Sequence, residues 1–273
     1  MKPALPLAAA LLLAAVTAAA AQTPDTLPLD SLRDALRLPE LATHARGGYA
    51  PAPTISTPTA YGADWGQQFF GASYQERTRF TDLQDAAFAA GLGFGDARRW
   101  VGLEVAVTSY SVRRDGGPFA TGGVSFKLHR LLPGGAAVAV GVENVTSWGG
   151  SDAGRSPYAV ASKIFRLNDD PRRRLGAVVA TAGVGTGRFR SEDDIAADED
   201  TPTPFGSVAL VVAEPVSVIA NWTGQELAVG TSFLPFRRLP LVFTPALTDL
   251  THRAGDGARF VLGIGYGFRY PLF

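Results

Sequence analysis

Phe260, Leu262, Ile264, Tyr266, Phe268 and Tyr270 recur at every second position near the C-terminus, and Arg259, Gly263, Gly265, Gly267 and Arg269 stand between them, with Val261 the one exception. Side chains alternate between the two faces of a strand. One face of this segment is therefore aromatic and apolar, the other glycine and arginine. A soluble sandwich covers its apolar face with a second sheet. A transmembrane barrel turns that face to lipid and the polar face to its lumen. The pattern predicts a membrane-facing terminal strand that exposes those six apolar side chains to outer-membrane lipid. Its aromatic end at Phe273 has the form expected of a strand read by the barrel-assembly machinery.

The other end of the chain agrees with export. Met1 and Lys2 precede an apolar stretch over 4–21, broken only by Pro6 and Thr17, which ends in three alanines. A cationic start, an apolar middle and a small-residue site predict a signal peptide over 1–21, cleaved after Ala21. Past it, no apolar run approaches the ~20 residues of a spanning helix. A membrane protein of this composition has to cross as closed strands. There is no cysteine, so disulfides, thiolate metal sites and cysteine nucleophiles are excluded. Lys plus Arg and Asp plus Glu both number 25, which gives no basic excess for nucleic acid.

Residues 22–60 read as a periplasmic segment: an amphipathic helix over 30–37, then a Pro/Thr-rich linker without periodicity. The helix is expected to rest on the rim, plug the lumen or remain a mobile tail. Residues 61–273 read as an up-and-down antiparallel barrel of about twelve strands. Val101, Leu103, Val105 and Val107 alternate with Gly102, Glu104, Ala106 and Thr108; Val124, Phe126 and Leu128 alternate with Ser125, Lys127 and His129. The connections segregate, with short links such as Glu214-Pro215 on one rim and long ones such as 190–204 on the other. An up-and-down barrel with periplasmic turns and extracellular loops has this asymmetry. Arg98, Arg99, Arg172, Arg173, Arg174, Arg237 and Arg238 fall on the short-turn side.

Glu104, Lys127, Glu143 and Lys163 come from four successive strands and are expected on the lumen wall as salt-bridged pairs. Arg188, Arg259 and Arg269 have no evident acidic partner in sequence, and an unpaired arginine stripe would favour anions. Tyr61, Trp65, Trp100, Trp148 and Tyr158 are expected at strand ends as interfacial girdles. The acidic stretch 191–200 lacks EF-hand spacing and reads as a solvated, flexible loop. Gly183, Gly185 and Gly187 lack the lysine and spacing of phosphate-binding loops and read as relief of crowding. Asn144-Val145-Thr146 and Asn221-Trp222-Thr223 match the glycosylation pattern inside strands. Asp249 with His252, near Asp256, leaves open a rim-located enzyme, with Ser151 or Thr251 as a nucleophile, though no Gly-x-Ser-x-Gly elbow is present. No pattern calls for a metal or cofactor.

The stretches Ala137–Val142, Tyr158–Lys163 and Gly183–Phe189 resemble outer-membrane barrel proteins of the YjbH-like, exopolysaccharide-associated group. That resemblance implies a part in moving or displaying a polysaccharide, with polysaccharide-export components as partners, and assigns no binding residue. The reading is thus an outer-membrane barrel with a passive transport or envelope-structural role. The alternatives are a rim-located enzyme and a soluble periplasmic barrel that binds a small ligand.

Overall fold

The computed structural model describes residues 51–269 apart from 114–116, 150–153, 169–174, 237–238 and 255–256. The expected signal peptide, the helix over 30–37, Tyr270 and the arginines at 172–174 and 237–238 lie outside the described residues. Twelve strands form one closed antiparallel barrel in which each pairs with its sequence neighbours and β1 pairs with β12. They are β1 (Gln67–Gln75), β2 (Asp85–Gly95), β3 (Gly102–Ser109), β4 (Gly122–Leu132), β5 (Ala136–Trp148) and β6 (Ser156–Arg166). They continue as β7 (Ala177–Gly185), β8 (Thr203–Ala213), β9 (Val216–Trp222), β10 (Leu227–Phe233), β11 (Leu241–Thr248) and β12 (Arg259–Arg269). Closure matters physically, because it leaves no unpaired edge in an apolar surround.

Gln67 lies opposite Arg269, so the chain enters β1 and leaves β12 at the same rim, the near rim. Turns there include Pro133–Gly135 and Glu214-Pro215, whereas the far rim carries the long connections 110–121 and 186–202. Phe268, Tyr266, Ile264 and Leu262 lie opposite Gln68, Phe70, Ala72 and Tyr74, and the Phe70 and Phe268 rings stack with centroids 5.9 Å apart. The outer face continues around the wall with exposed Leu128, Val140, Val208 and Leu247. An even-stranded closed sheet with an apolar outer face is the architecture of a transmembrane β-barrel.

The acidic stretch is more ordered than its composition suggests. Glu192–Ala196 forms a short helix, α1, capped by Ser191, whose hydroxyl accepts from the Asp194 amide while the Asp194 carboxylate accepts from the Ser191 amide. Reciprocal capping satisfies two helix-end donors that would otherwise be free.

The occupied lumen as candidate functional site

Residues 51–66, expected as the end of a linker and the start of the barrel, run inside it. The path is re-entrant. At Ala52 the amide donates to Ser232 Oγ (2.8 Å) and the carbonyl accepts from Ser217 Oγ (3.0 Å), close to the near rim. The apex reaches toward the far rim, where the Ser56 carbonyl accepts from Arg188 Nη2 (3.0 Å). The return leg passes Ser162, whose hydroxyl takes the Ala60 amide (2.9 Å), and Tyr61 donates to the Gly135 carbonyl (2.7 Å) at a near-rim turn. Asp64 then accepts from the Ala97 amide (2.9 Å), and Trp65 bridges to Gly93 just before β1.

Inward positions of successive strands supply the partners for this buried backbone. Ser162, Thr181, Ser207 and Asn221 are register neighbours across β6 to β9 and form one lateral row. Ser207 donates to the Pro53 carbonyl (3.2 Å). The Asn221 carboxamide oxygen is the main anchor of the apex. It accepts from the hydroxyls of Thr54 (2.7 Å) and Thr57 (2.9 Å) and from the amides of Ile55, Ser56 and Thr57 at 3.3–3.4 Å. Successive backbone amides converging on one oxygen make a nest, which favours a partial negative charge. Between these polar contacts, Ala60 and Tyr61 pack with Tyr158, Val160 and Phe205, and Ile55 packs with Val179 and Ile219. The lumen on this side is a packed core.

The expected lumen charges are only partly where strand phase suggested. Glu104 and Lys127 face each other across β3 and β4 at 2.9 Å. Both also hold the return leg, Glu104 through the Ala63 amide and Lys127 through the Tyr61 carbonyl (2.8 Å each). Glu143 pairs with Arg188, not with Lys163, and the same guanidinium binds Ser56. Arg259 is buried and donates to Glu226 Oε2 at 2.7 Å; Arg79 approaches that oxygen at 3.7 Å. Arg188 and Arg259 are therefore paired, which removes them from the expected free arginine stripe. Arg269 ends β12, opposite Gln67.

Lys163 is a correction. It lies on the exposed face of β6, with its ammonium 5.3 Å from the Phe165 ring centroid, because Val160 and Ile164 point into the lumen rather than to lipid. The apolar residues of β6 pack on the re-entrant segment, so the phase of apolar residues reverses there relative to β3 and β4. Tyr61 and Tyr158 leave the girdle for the same reason, while Trp65 and Trp100 remain exposed at the near rim.

The far-rim glycines relieve crowding against rings. A Cβ at Gly183 or Gly185 would overlap Phe205 or Phe189. Gly187 (φ +64°) opens the turn that sends Arg188 and the fully buried Phe189 inward. Asp249 is buried, and its carboxylate accepts from the Ala254 and Gly257 amides at 3.0 and 3.3 Å, which leaves it as the brace of a loop on which His252 is exposed. Asn144 and Asn221 are both buried inside the barrel.

The opposite wall is different. The inward positions Gly71, Gly263, Gly265 and Gly267 on β1 and β12 are half-exposed, and an added Cβ at any of them would meet nothing closer than 3.6 Å. The segment and the side chains that hold it fill the lumen from β3 to β10, whereas the positions along this glycine stripe stay half-exposed.

Fold and lumen together define a transmembrane β-barrel plugged on one side by the segment over 51–66 that precedes β1. No family model matches the chain, and no curated protein matches it. Among solved structures, it is similar to the Acinetobacter baumannii outer membrane protein Omp33, at 11% identity and a TM-score of 0.37 over 76% of this chain and 98% of that one. It is also similar to the N-terminal β-barrel domain of Pseudomonas aeruginosa OprF, at 10% identity and a TM-score of 0.19 over the same shares.

Proposed function

We propose that this protein is a narrow, passive channel of the bacterial outer membrane, with the near rim in the periplasm. The re-entrant segment fills one side of its lumen, and the glycine-lined crevice along β12 and β1 is the solute path. The observation that carries this reading is the one-sided filling: hydroxyls, ion pairs and apolar side chains close the lumen over β3–β10, while Gly71, Gly263, Gly265 and Gly267 stay half-exposed with room for a Cβ. The paired Glu104–Lys127, Glu143–Arg188 and Arg259–Glu226 leave little net charge facing that path, so small solutes pass with weak ion selectivity. The glycine-rich resemblance supports a link to exopolysaccharide export. The filled lumen favours a role in the envelope beside such a system over a role as the tube for the polymer.

Planar-bilayer recording tests this. The full barrel is expected to show small, weakly selective conductance, and deletion of residues 52–63 to enlarge it severalfold. Equal conductance in both, or strong anion selectivity in the full barrel, would refute the proposal. Asn221→Ala serves as the second variant should the deletion fail to assemble.

A further inference from the structure

The outward positions of the twelve strands are almost free of charge. Among the described residues they carry two ionised side chains, Arg130 on β4 and Lys163 on β6, and no carboxylate. Both are exposed. Neither meets an acid among the described residues: Arg130 donates to the Trp100 carbonyl, and Lys163 lies over the Phe165 ring.

Their placement is not scattered. Strand β5 runs between them, with Arg130 opposite Val138 and Lys163 opposite Ala136. Two inter-strand spacings and a two-residue offset separate the two Cα atoms by about 12 Å, so two long side chains can converge on one group between them. Arg130 precedes the near-rim end of β4 at Leu132, and Lys163 that of β6 at Arg166. A cation on the lipid face is costly at the bilayer midplane and nearly free of cost near the interface. The two cations thus sit where headgroups, not acyl chains, surround the wall. Toward the far rim, the same strands expose Phe126, Leu128 and Val140, an apolar track for acyl chains.

We propose that Arg130 and Lys163 form a binding position for the phosphate of a phospholipid in the leaflet at the near rim, with its acyl chains along Leu128 and Val140. The proposal rests on the membrane placement argued above. Val138 between the two cations is exposed and apolar, so the phosphate meets no competing donor or acceptor from the intervening strand. Trp100, the most exposed of the large apolar side chains among the described residues, lies beside Arg130 at headgroup level, where indole rings settle.

Native mass spectrometry of the detergent-solubilised full chain tests this with phosphatidylglycerol, diacylglycerol and inorganic phosphate as probes. The wild type is expected to retain phosphatidylglycerol over diacylglycerol, and Arg130→Gln/Lys163→Gln to weaken that retention about 30-fold, given about 1 kcal/mol per basic residue at an anionic surface. Arg130→Lys/Lys163→Arg is expected to keep it, and Thr231→Gln, on the outer face of β10, to leave it unchanged. Equal retention by the double glutamine variant would overturn the site. Equal displacement by millimolar phosphate would overturn the lipid and leave a free-anion position. Failure of the protein to enter membranes at all would instead overturn the placement on which both proposals stand.

Discussion

Replacing Asn221 by alanine removes the one acceptor shared by five donors at the apex of the re-entrant segment. The two hydroxyl bonds, at 2.7 and 2.9 Å, contribute about 1 kcal/mol each. The three amides at 3.3–3.4 Å are long, and together their loss of an acceptor in a buried setting costs about 1 kcal/mol more. The sum of about 3 kcal/mol corresponds to a ~150-fold rise in the open population of the segment. Hydrogen exchange of the amides of Ile55, Ser56, Thr57 and Ala60 in the detergent-solubilised protein reads that population directly. Exchange there should quicken about 100-fold while amides of β3 and β4 keep their protection. Asn221→Asp retains the oxygen in the nest and should retain slow exchange. Unchanged exchange in the alanine variant would mean that packing of Ile55, Ala60 and Tyr61 alone holds the segment, and the hydrogen-bond argument would fail.

Arg259→Met should lower barrel stability by about 2–3 kcal/mol in heat-unfolding assays, because Glu226 stays buried and keeps Arg79, at 3.7 Å, as its remaining ion pair among the described residues; adding Glu226→Gln should recover part of the loss. Gly265→Leu should reduce residual conductance without destabilising the barrel, whereas Gly183→Leu should destabilise it by forcing the Phe205 ring aside; the reverse pattern would show that the open side of the lumen is misplaced. The Ser191 hydroxyl and amide hold the Asp194 carboxyl below the usual carboxylate range, so its contribution to α1 is present above the ordinary value of about 3.9 and disappears as pH falls through the lowered one. Amide shifts of Ser191 and Asp194 followed by NMR check this, and titration at the ordinary carboxylate pH would contradict it.

Much of the wall was legible in the sequence. Strands such as 85–95 and 216–222 fall within a residue or two of the runs that alternation and turn residues predicted. The terminal strand pairs with β1 as its outward aromatic row requires. Alternation failed where it was asked to tell inside from outside over β6. Val160 and Ile164 are apolar because they pack against Ala60 and Tyr61, not against lipid, so Lys163 between them stands on the outer face and not on the lumen wall. Period-two patterning reports that two faces differ and not which one meets the bilayer. The segment over 51–66 escaped because its structure is not periodic: its backbone is held by side chains from strands more than a hundred residues away. One signal was available. Ser162, Thr181, Ser207 and Asn221 are small polar residues at matching depth on consecutive strands, and such a row on an inner wall calls for a backbone to satisfy. Arg188 and Arg259 found Glu143 and Glu226 through far-rim turns whose geometry no spacing encodes.

Ala60 lies against Ser162 inside a closed barrel whose apolar outer face is built for lipid. The chain has no cysteine, so an Ala60→Cys/Ser162→Cys pair has no background. Oxidation of carbonate-washed membranes, followed by protease nicking between the two positions and non-reducing electrophoresis, is predicted to leave the fragments joined in the pellet. Fragments that separate under oxidising conditions, or protein found in the wash, would contradict it.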